Sequence, residues 1–247
     1  MDRQPERNVL VIGDSCRDIF VYCSASRLCP EAPVPALKVI NQTENGGMAK
    51  NVYRNLQNLM PGVDIITNTN WYNITKTRYV HEATNHMFFR VDNELDLKRV
   101  DLSSIVYDYK IIVISDYNKG FLTHEDIEII CNNHHNVFLD TKKILGEWAS
   151  KAKYIKINAF EYEKSKDIIN EKLFHNTIHT HGAAGCIFRN KQYPVKKVDV
   201  IDVSGAGDTF LAGLVSKYFY TNNIDESINF ANQCALKVVQ ERGVSII

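Results

Sequence analysis

The sequence predicts an α/β protein: a mostly parallel sheet with helices on both faces, plus a small β flap. Three observations predict it. Short apolar runs recur at 9–12, 111–114, 137–139, 154–157 and 176–179, each bounded by polar or turn residues. Stretches with helical spacing separate most of them, at 124–131, 144–149 and 161–169. The runs are apolar throughout instead of alternating, the pattern of parallel strands covered on both sides.

Taken in order, the run Val9-Leu10-Val11-Ile12 ends at Gly13-Asp14 and reads as a buried strand feeding a turn. Residues 15–45 break the rhythm with Pro30, Pro33 and Pro35, and a short strand is expected at 37–40. Met48, Val52, Leu56 and Leu59 follow helical spacing and predict an amphipathic helix over 48–59, opened by Gly46-Gly47. Residues 74–92 read as two extended pieces, with Val80, Phe88 and Val91 set among polar residues as in strands with one wet face. With 15–45 they predict a flap, or lid, inserted into a single domain over 1–247. Beyond residue 200, Phe210, Leu211, Leu214, Val215 and Tyr218 mark one helix, and Ile228, Ala231, Ala235 and Val238 another.

Composition narrows the function. Of 247 residues, 45% are hydrophobic and 23% charged, which suits a substantial core. Lys plus Arg equals Asp plus Glu at 29 each, so no global basic field exists for nucleic acid or an anionic membrane. No run resembles a signal peptide or reaches membrane-spanning length, and a cytoplasmic location is expected. The six cysteines include no C-x-x-C pair, and His179-x-His181 reads as two strand histidines rather than a zinc site.

The stretch IDVSGAGDTF at 201–210 carries the chemistry. A helix N-terminus has unpaired N–H groups and partial positive charge, and so binds phosphate oxygens. Gly205, Ala206 and Gly207 let backbone approach a ligand without obstruction. Asp208 then stands where it can accept a hydroxyl proton as that oxygen attacks a γ-phosphate. The competing reading is a glycine turn whose acid complements the helix dipole. Neither a P-loop G-x-x-x-x-G-K-[ST] nor a G-x-G-x-x-G after the first strand occurs.

D-V-S-G-A-G-D-T-F followed by an apolar helix resembles the signature of the ribokinase-like, phosphofructokinase-B type carbohydrate kinases. Collinear segments extend the resemblance to one branch, the heptose-7-phosphate kinases of bacterial lipopolysaccharide precursor synthesis. They are VIGDSCRDIF at 11–20, SRLCPEAPVPALKV at 26–39, GGMAKNV at 46–52, TKTR at 75–78, FRVDNE at 89–94, SDYNKG at 115–120, LDTKK at 139–143, NAFE at 158–161 and THGAAG at 180–185. Ser204 stands for the commoner Thr, Met48 and Lys50 for small residues, and Ile157 for Pro. Only 60–74 separates Leu59 from Thr75, where the family has a longer helix-and-strand unit, so part of the sheet edge or flap support is expected to be missing.

The resemblance implies a ribokinase-like three-layer fold, ATP and Mg²⁺ as cofactors, and a sugar phosphate as substrate. It implies Asp208 as catalytic base beside the Gly205-Ala206-Gly207 anion hole. Asp14, Asp18, Gly46, Gly47, Asn51 and Asp116 would serve the sugar, with Arg27, Lys76, Arg78, Lys119 and Lys142 as a cationic collar for its phosphate. Thr180, Gly182, Gly185, Ser204, Asn232 and Gly243 would border the nucleotide. Asn158 and Glu161 would hold waters around Mg²⁺; their i, i+3 spacing also fits a helix N-cap with its capping-box partner. In relatives the flap's apolar face is covered by a second subunit, which implies a homodimer. The alternatives are a kinase of another small sugar or nucleoside, or a catalytically weak nucleotide- or sugar-binding regulator.

Overall fold

A computed structural model describes residues 6–247. The chain runs through β1 (Val9–Gly13), β2 (Ser15–Ser24), β3 (Lys38–Met48), α1 (Ala49–Leu59), β4 (Val63–Thr67), β5 (Thr75–His81) and β6 (Met87–Asn93). It continues through β7 (Ile111–Asp116), α2 (His124–Asn133), β8 (Val137–Thr141), β9 (Tyr154–Asn158), α3 (Ala159–Ser165), α4 (Glu171–Asn176) and β10 (Thr177–Thr180). The hairpin β11 (Cys186–Phe188) and β12 (Lys191–Tyr193) precedes α5 (Ala206–Thr221) and α6 (Ile224–Val238).

The eight-stranded main sheet has the order β12-β11-β10-β9-β8-β7-β1-β4, parallel from β10 to β4 with the hairpin antiparallel at one edge. Alternate residues of its strands enter two different cores. Val9, Val11, Ile111 and Val113 pack against Val52 and Leu56 of α1 and Leu211 and Leu214 of α5. Leu10, Ile12, Ile112 and Ile114 pack against Ile127 and Ile130 of α2 and Leu173 of α4. A strand buried on both faces has no wet side to encode, hence the uninterrupted apolar runs.

The second sheet has four strands in the order β3-β2-β5-β6, drawn from the segments expected to form the flap. Its inner face meets the body where Phe20 and Val80 pack on Val244. Asn85 Nδ2 donates to the Ile201 carbonyl at 2.8 Å, and Arg242 donates to the Glu82 carbonyl at 2.9 Å.

Several expectations are corrected. The strand expected at 37–40 extends to Met48, and β2 pairs along almost its whole length, from Ser15 opposite Met48 to Ser24 opposite Lys38. Gly46 and Gly47 therefore close a strand instead of opening a helix. Residues 144–149 form only a 3₁₀ turn at Glu147–Ala149, because Gly146 interrupts a segment too short to propagate a helix. The shortened segment after Leu59 still supplies one edge strand, β4, paired with β1, which leaves the expected loss of part of that edge unaltered. Val80 is only 4% exposed and faces the body, and Phe88 is half-buried; Val91 is exposed as expected, together with Val39, Ile40, Met87 and Phe89.

Candidate active site

The site is built where α5 begins. Gly205 caps the helix with φ 78°, a left-handed conformation, and a Cβ there would sit 2.8 Å from Asn51 Nδ2. That close approach lets the Asn51 amide reach past the turn to Asp208 in the first helical turn. Asn51 Nδ2 donates to Asp208 Oδ2 at 2.9 Å, and the Tyr117 hydroxyl donates to Oδ1 at 2.5 Å. Burial raises the Asp208 pKa above the ordinary carboxylate range; the two donors and Lys156 oppose that rise, and Asp140 adds to it.

Asp208 lies at one end of a cavity of about 780 Å³. Gly205, Ala206 and Gly207 line it beside Asp208, as do Lys142, Asn158, Thr180, Gly182, Gly185 and Asn232. The segments GAGD, N-x-x-E and THGAAG, far apart in sequence, thus converge. Lys156, His181, Lys196 and Lys197 join the lining, and among the described residues Asp208 is its one carboxylate. Such a cavity suits a polyanion.

Its floor is an ion-pair chain. Lys156 Nζ bonds Asp140 at 2.8 Å, and Lys142 Nζ lies 2.6 Å from Glu161 and 3.8 Å from Asp140. Burial works against the charge on Lys142, but Asp140 and Glu161 raise its pKa above the ordinary lysine value. Asn158 and Glu161 form a full capping box on α3, each side chain accepting the other's backbone N–H, at 2.9 and 2.8 Å. Asp140 Oδ1 is buried without a hydrogen-bond donor. Carboxylate and amide oxygens with one unsatisfied oxygen fit a hydrated Mg²⁺ held through water. No group of three His, Cys, Asp or Glu among the described residues is placed to grip a metal directly.

The small sheet brings Asp18 and Arg78 together at 2.6 Å, with the guanidinium over the Phe20 ring. A Cβ on Gly47 would overlap Asp18 Oδ2, so only glycine permits this packing. Gly46 stands beside the Lys50 side chain. Lys119 pairs with Glu94, whereas Arg27 is exposed and Lys76 has no carboxylate within ion-pair reach among the described residues. Of the expected collar, then, three cations are already paired.

Two carboxylates expected at the sugar are engaged within the protein. Asp14 is 0% exposed, and its oxygens accept the backbone N–H groups of Tyr117 at 2.6 Å and Phe121 at 3.3 Å. Asp116 is buried against Lys143 at 2.9 Å and Thr141 at 2.5 Å. Both hold the loop that carries Tyr117. Ser204 and Gly243 lie outside the cavity lining; their backbone N–H groups meet on the Asp202 carboxylate at 2.8 and 3.1 Å.

Sequence reasoning missed Tyr117, Asp140 and Lys156. Lys156 did leave a signal, a charge in the middle of the apolar run YIKI. The His179 and His181 rings share a hydrogen bond of 2.8 Å, and burial together with His181 lowers the His179 pKa to about 4.

An α/β fold with a nucleotide-sized cavity at a helix N-terminus and a buried carboxylate beside it defines a ribokinase-like phosphotransferase. Solved structures agree on the fold. The nucleoside kinase of Methanocaldococcus jannaschii superposes with TM-score 0.71 at 14% identity, covering 97% of this chain and 94% of that one. Ribokinase of Thermotoga maritima gives 0.69 at 17% identity, covering 96% and 94%. Residues 62–247 match the pfkB family carbohydrate kinases, and the chain belongs to that family: it is a sugar kinase, transferring a phosphoryl group to a sugar hydroxyl. Among curated proteins, the bifunctional protein HldE of Helicobacter pylori (strain J99) is 29% identical over 297 aligned positions, covering 97% of this chain and 64% of the relative. The HldE of Helicobacter acinonychis is 30% identical with the same coverage. The chain thus spans 64% of the length of these curated relatives. No helix among the described residues is long and apolar enough to cross a membrane.

Proposed function

We propose that this kinase transfers the γ-phosphoryl group of ATP to the anomeric hydroxyl of a seven-carbon sugar 7-phosphate, with D-glycero-D-manno-heptose 7-phosphate giving the 1,7-bisphosphate. The observation that carries the reaction is Asp208, held by Asn51 and Tyr117 at the mouth of the lysine-lined cavity. Asp208 accepts the proton of the acceptor hydroxyl while its oxygen bonds to the γ-phosphorus and the bond to the β-phosphate oxygen breaks, leaving ADP. The amides of Gly205–Gly207, with Lys142 and Lys156, take up the charge that develops on the transferring group. Asn158 and Glu161 would hold Mg²⁺ through water, and Mg²⁺ would supply neutralisation of phosphate charge.

The small sheet acts as the lid over the sugar, with Asp18 and Asn51 as its polar contacts and Lys76 and Arg27 as the cations free to meet its phosphate. The collinear segments shared with the heptose-7-phosphate kinase branch support this substrate. A second reading, an uncharged sugar or nucleoside, is favoured by the pairing of Arg78, Lys119 and Lys142 with protein carboxylates. The deciding measurement compares kcat/KM for heptose 7-phosphate with that for the bare heptose, ribose and fructose 6-phosphate. Preference for the 7-phosphate is expected; equal or better use of an unphosphorylated sugar sinks the substrate assignment. A second copy covering Val39, Phe89 and Val91 makes the working unit a homodimer in the cytoplasm.

A further inference from the structure

Tyr117 touches Asp208 and two lysines at once. Its hydroxyl donates to Asp208 Oδ1 at 2.5 Å, and its ring sits among cations, with Lys76 Nζ 5.2 Å and Lys142 Nζ 5.3 Å from the centroid. Its backbone is fixed on one side by Asp14, which accepts its N–H at 2.6 Å, and on the other by Asp116, which accepts the Asn118 N–H at 3.0 Å. Two buried carboxylates, Asp14 just after β1 and Asp116 at the end of β7, therefore pin the segment that aims a single phenol at a single oxygen.

We propose that Tyr117 is a positioning residue for the proton acceptor: its O–H fixes the rotamer of Asp208 and holds it as the anion that can take the hydroxyl proton. This rests on Asp208 being that acceptor. The charges facing Asp208 and Tyr117 come from several elements: Lys156 on β9, Asp140 on β8, Lys142 after it, and Asp18 and Lys76 on the small sheet. Asp140 and Asp18 disfavour an anion here and the lysines favour one. Among the described residues, only Tyr117 and Asn51 bond Asp208 directly with their side chains. A hydrogen bond to the ionised form stabilises that form selectively. The phenol keeps its own proton, because burial and the Asp208 charge raise its pKa well above the ordinary tyrosine value. Tyr117 is therefore a permanent donor and not a competing base. One lone pair of Oδ1 remains for the acceptor hydroxyl.

The test uses two readouts, one independent of any sugar. In the full-length protein without substrates, the ¹³C resonance of the Asp208 carboxyl, assigned by its loss in Asp208→Asn, is followed through a pH titration. Tyr117→Phe is expected to move the midpoint upward. Tyr117→3-fluorotyrosine, a stronger donor of nearly the same shape, should move it downward. Were the Phe variant to misfold, the fluorinated protein would still decide the matter. With a sugar substrate, Tyr117→Phe is expected to lower kcat/KM about tenfold on the acid limb, as one unit of displacement requires, and to converge with wild type at high pH. Midpoints unchanged by either substitution would overturn the proposal. Failure of every sugar to turn over would strike the kinase substrate reading instead, and leave the titration result standing.

Discussion

Opposite walls of the site handle charge differently. In the main-sheet cavity, Lys142 and Lys156 are paired with Glu161 and Asp140 behind the lining, but Lys196 and Lys197 have no carboxylate within ion-pair reach among the described residues, so the lining is net positive before any ligand arrives. Around the small sheet Arg78 is matched by Asp18 at 2.6 Å, Arg17 by Glu44 at 3.6 Å, and Lys119, in the loop after β7, by Glu94, while Lys76 and Arg27 stay unmatched among the described residues. The first wall suits a polyanion that brings its own charge. The second suits hydroxyl groups, which bond to a paired carboxylate or guanidinium without leaving either unbalanced. Under the proposed function, the phosphate donor would take the first wall and the sugar's hydroxyls the second, with Lys76 and Arg27 left for the sugar's own phosphate.

The largest expected effect comes from removing the one carboxylate of the cationic wall. Asp208→Asn should lower turnover roughly 10²–10⁴-fold, with ATP affinity by calorimetry nearly unchanged. Unaltered turnover would return Asp208 to a helix-dipole role. Next is the Lys156–Asp140 pair, buried on both sides. Lys156→Met leaves Asp140 with only the more distant Lys142, 3.8 Å away, and should cost about 3 kcal/mol in denaturant unfolding. On the other wall, Asp18→Asn should raise the sugar KM about tenfold while the ATP KM stays within about twofold, the scale of one charged hydrogen bond. If both constants rose together, the two walls would not be functionally separate.

A smaller effect concerns pH. The folded-state pKa of Asp208 lies above its unfolded value, chiefly through burial. A carboxyl shifted this way contributes stability that is fully present below the unfolded pKa and is lost as pH rises through the folded one. Asp208→Asn should therefore raise the thermal midpoint at pH 8, with the gain shrinking as the unfolded carboxyl becomes protonated near pH 4. A gain independent of pH would place the effect in packing. Smallest is the expected change at the outer face: Phe89→Glu should weaken self-association in sedimentation velocity and leave kcat within about twofold, as for a surface position. A wild-type monomer at high concentration would remove the dimer.

The parts of the molecule that could be read from sequence are those encoded locally. The apolar runs at 9–12 and 111–114 announce strands because both faces are buried, and Asn158 with Glu161 announces a capping box because the partners are three residues apart. What could not be read depends on distant partners. Asp14 after a buried strand has the same local signature whether its oxygens meet a sugar or the N–H of Tyr117, and only the fold decides. Arg78 looks like a free cation until Asp18, sixty residues earlier, is brought beside it. Most of β3 escaped notice because Asn41, Gln42, Thr43 and Glu44 are exposed, so its pairing with β2 rests on backbone bonds that leave no trace in composition.

The seating of the small sheet has a consequence for how the protein is made. All four of its strands have been synthesised once residue 93 emerges, yet its inner apolar residues Phe20 and Val80 rest on Val244, and its β5–β6 turn is tied down by Arg242. Until some 150 further residues are translated, as the numbering of these contacts requires, that face has nothing to rest on. Over that stretch of synthesis the apolar face stays unsheltered, and residues near 244 close the structure that residues near 20 begin. Slow codons or a stall late in the message would lengthen that exposure, making this enzyme's yield sensitive to events after its first ninety or so residues are complete.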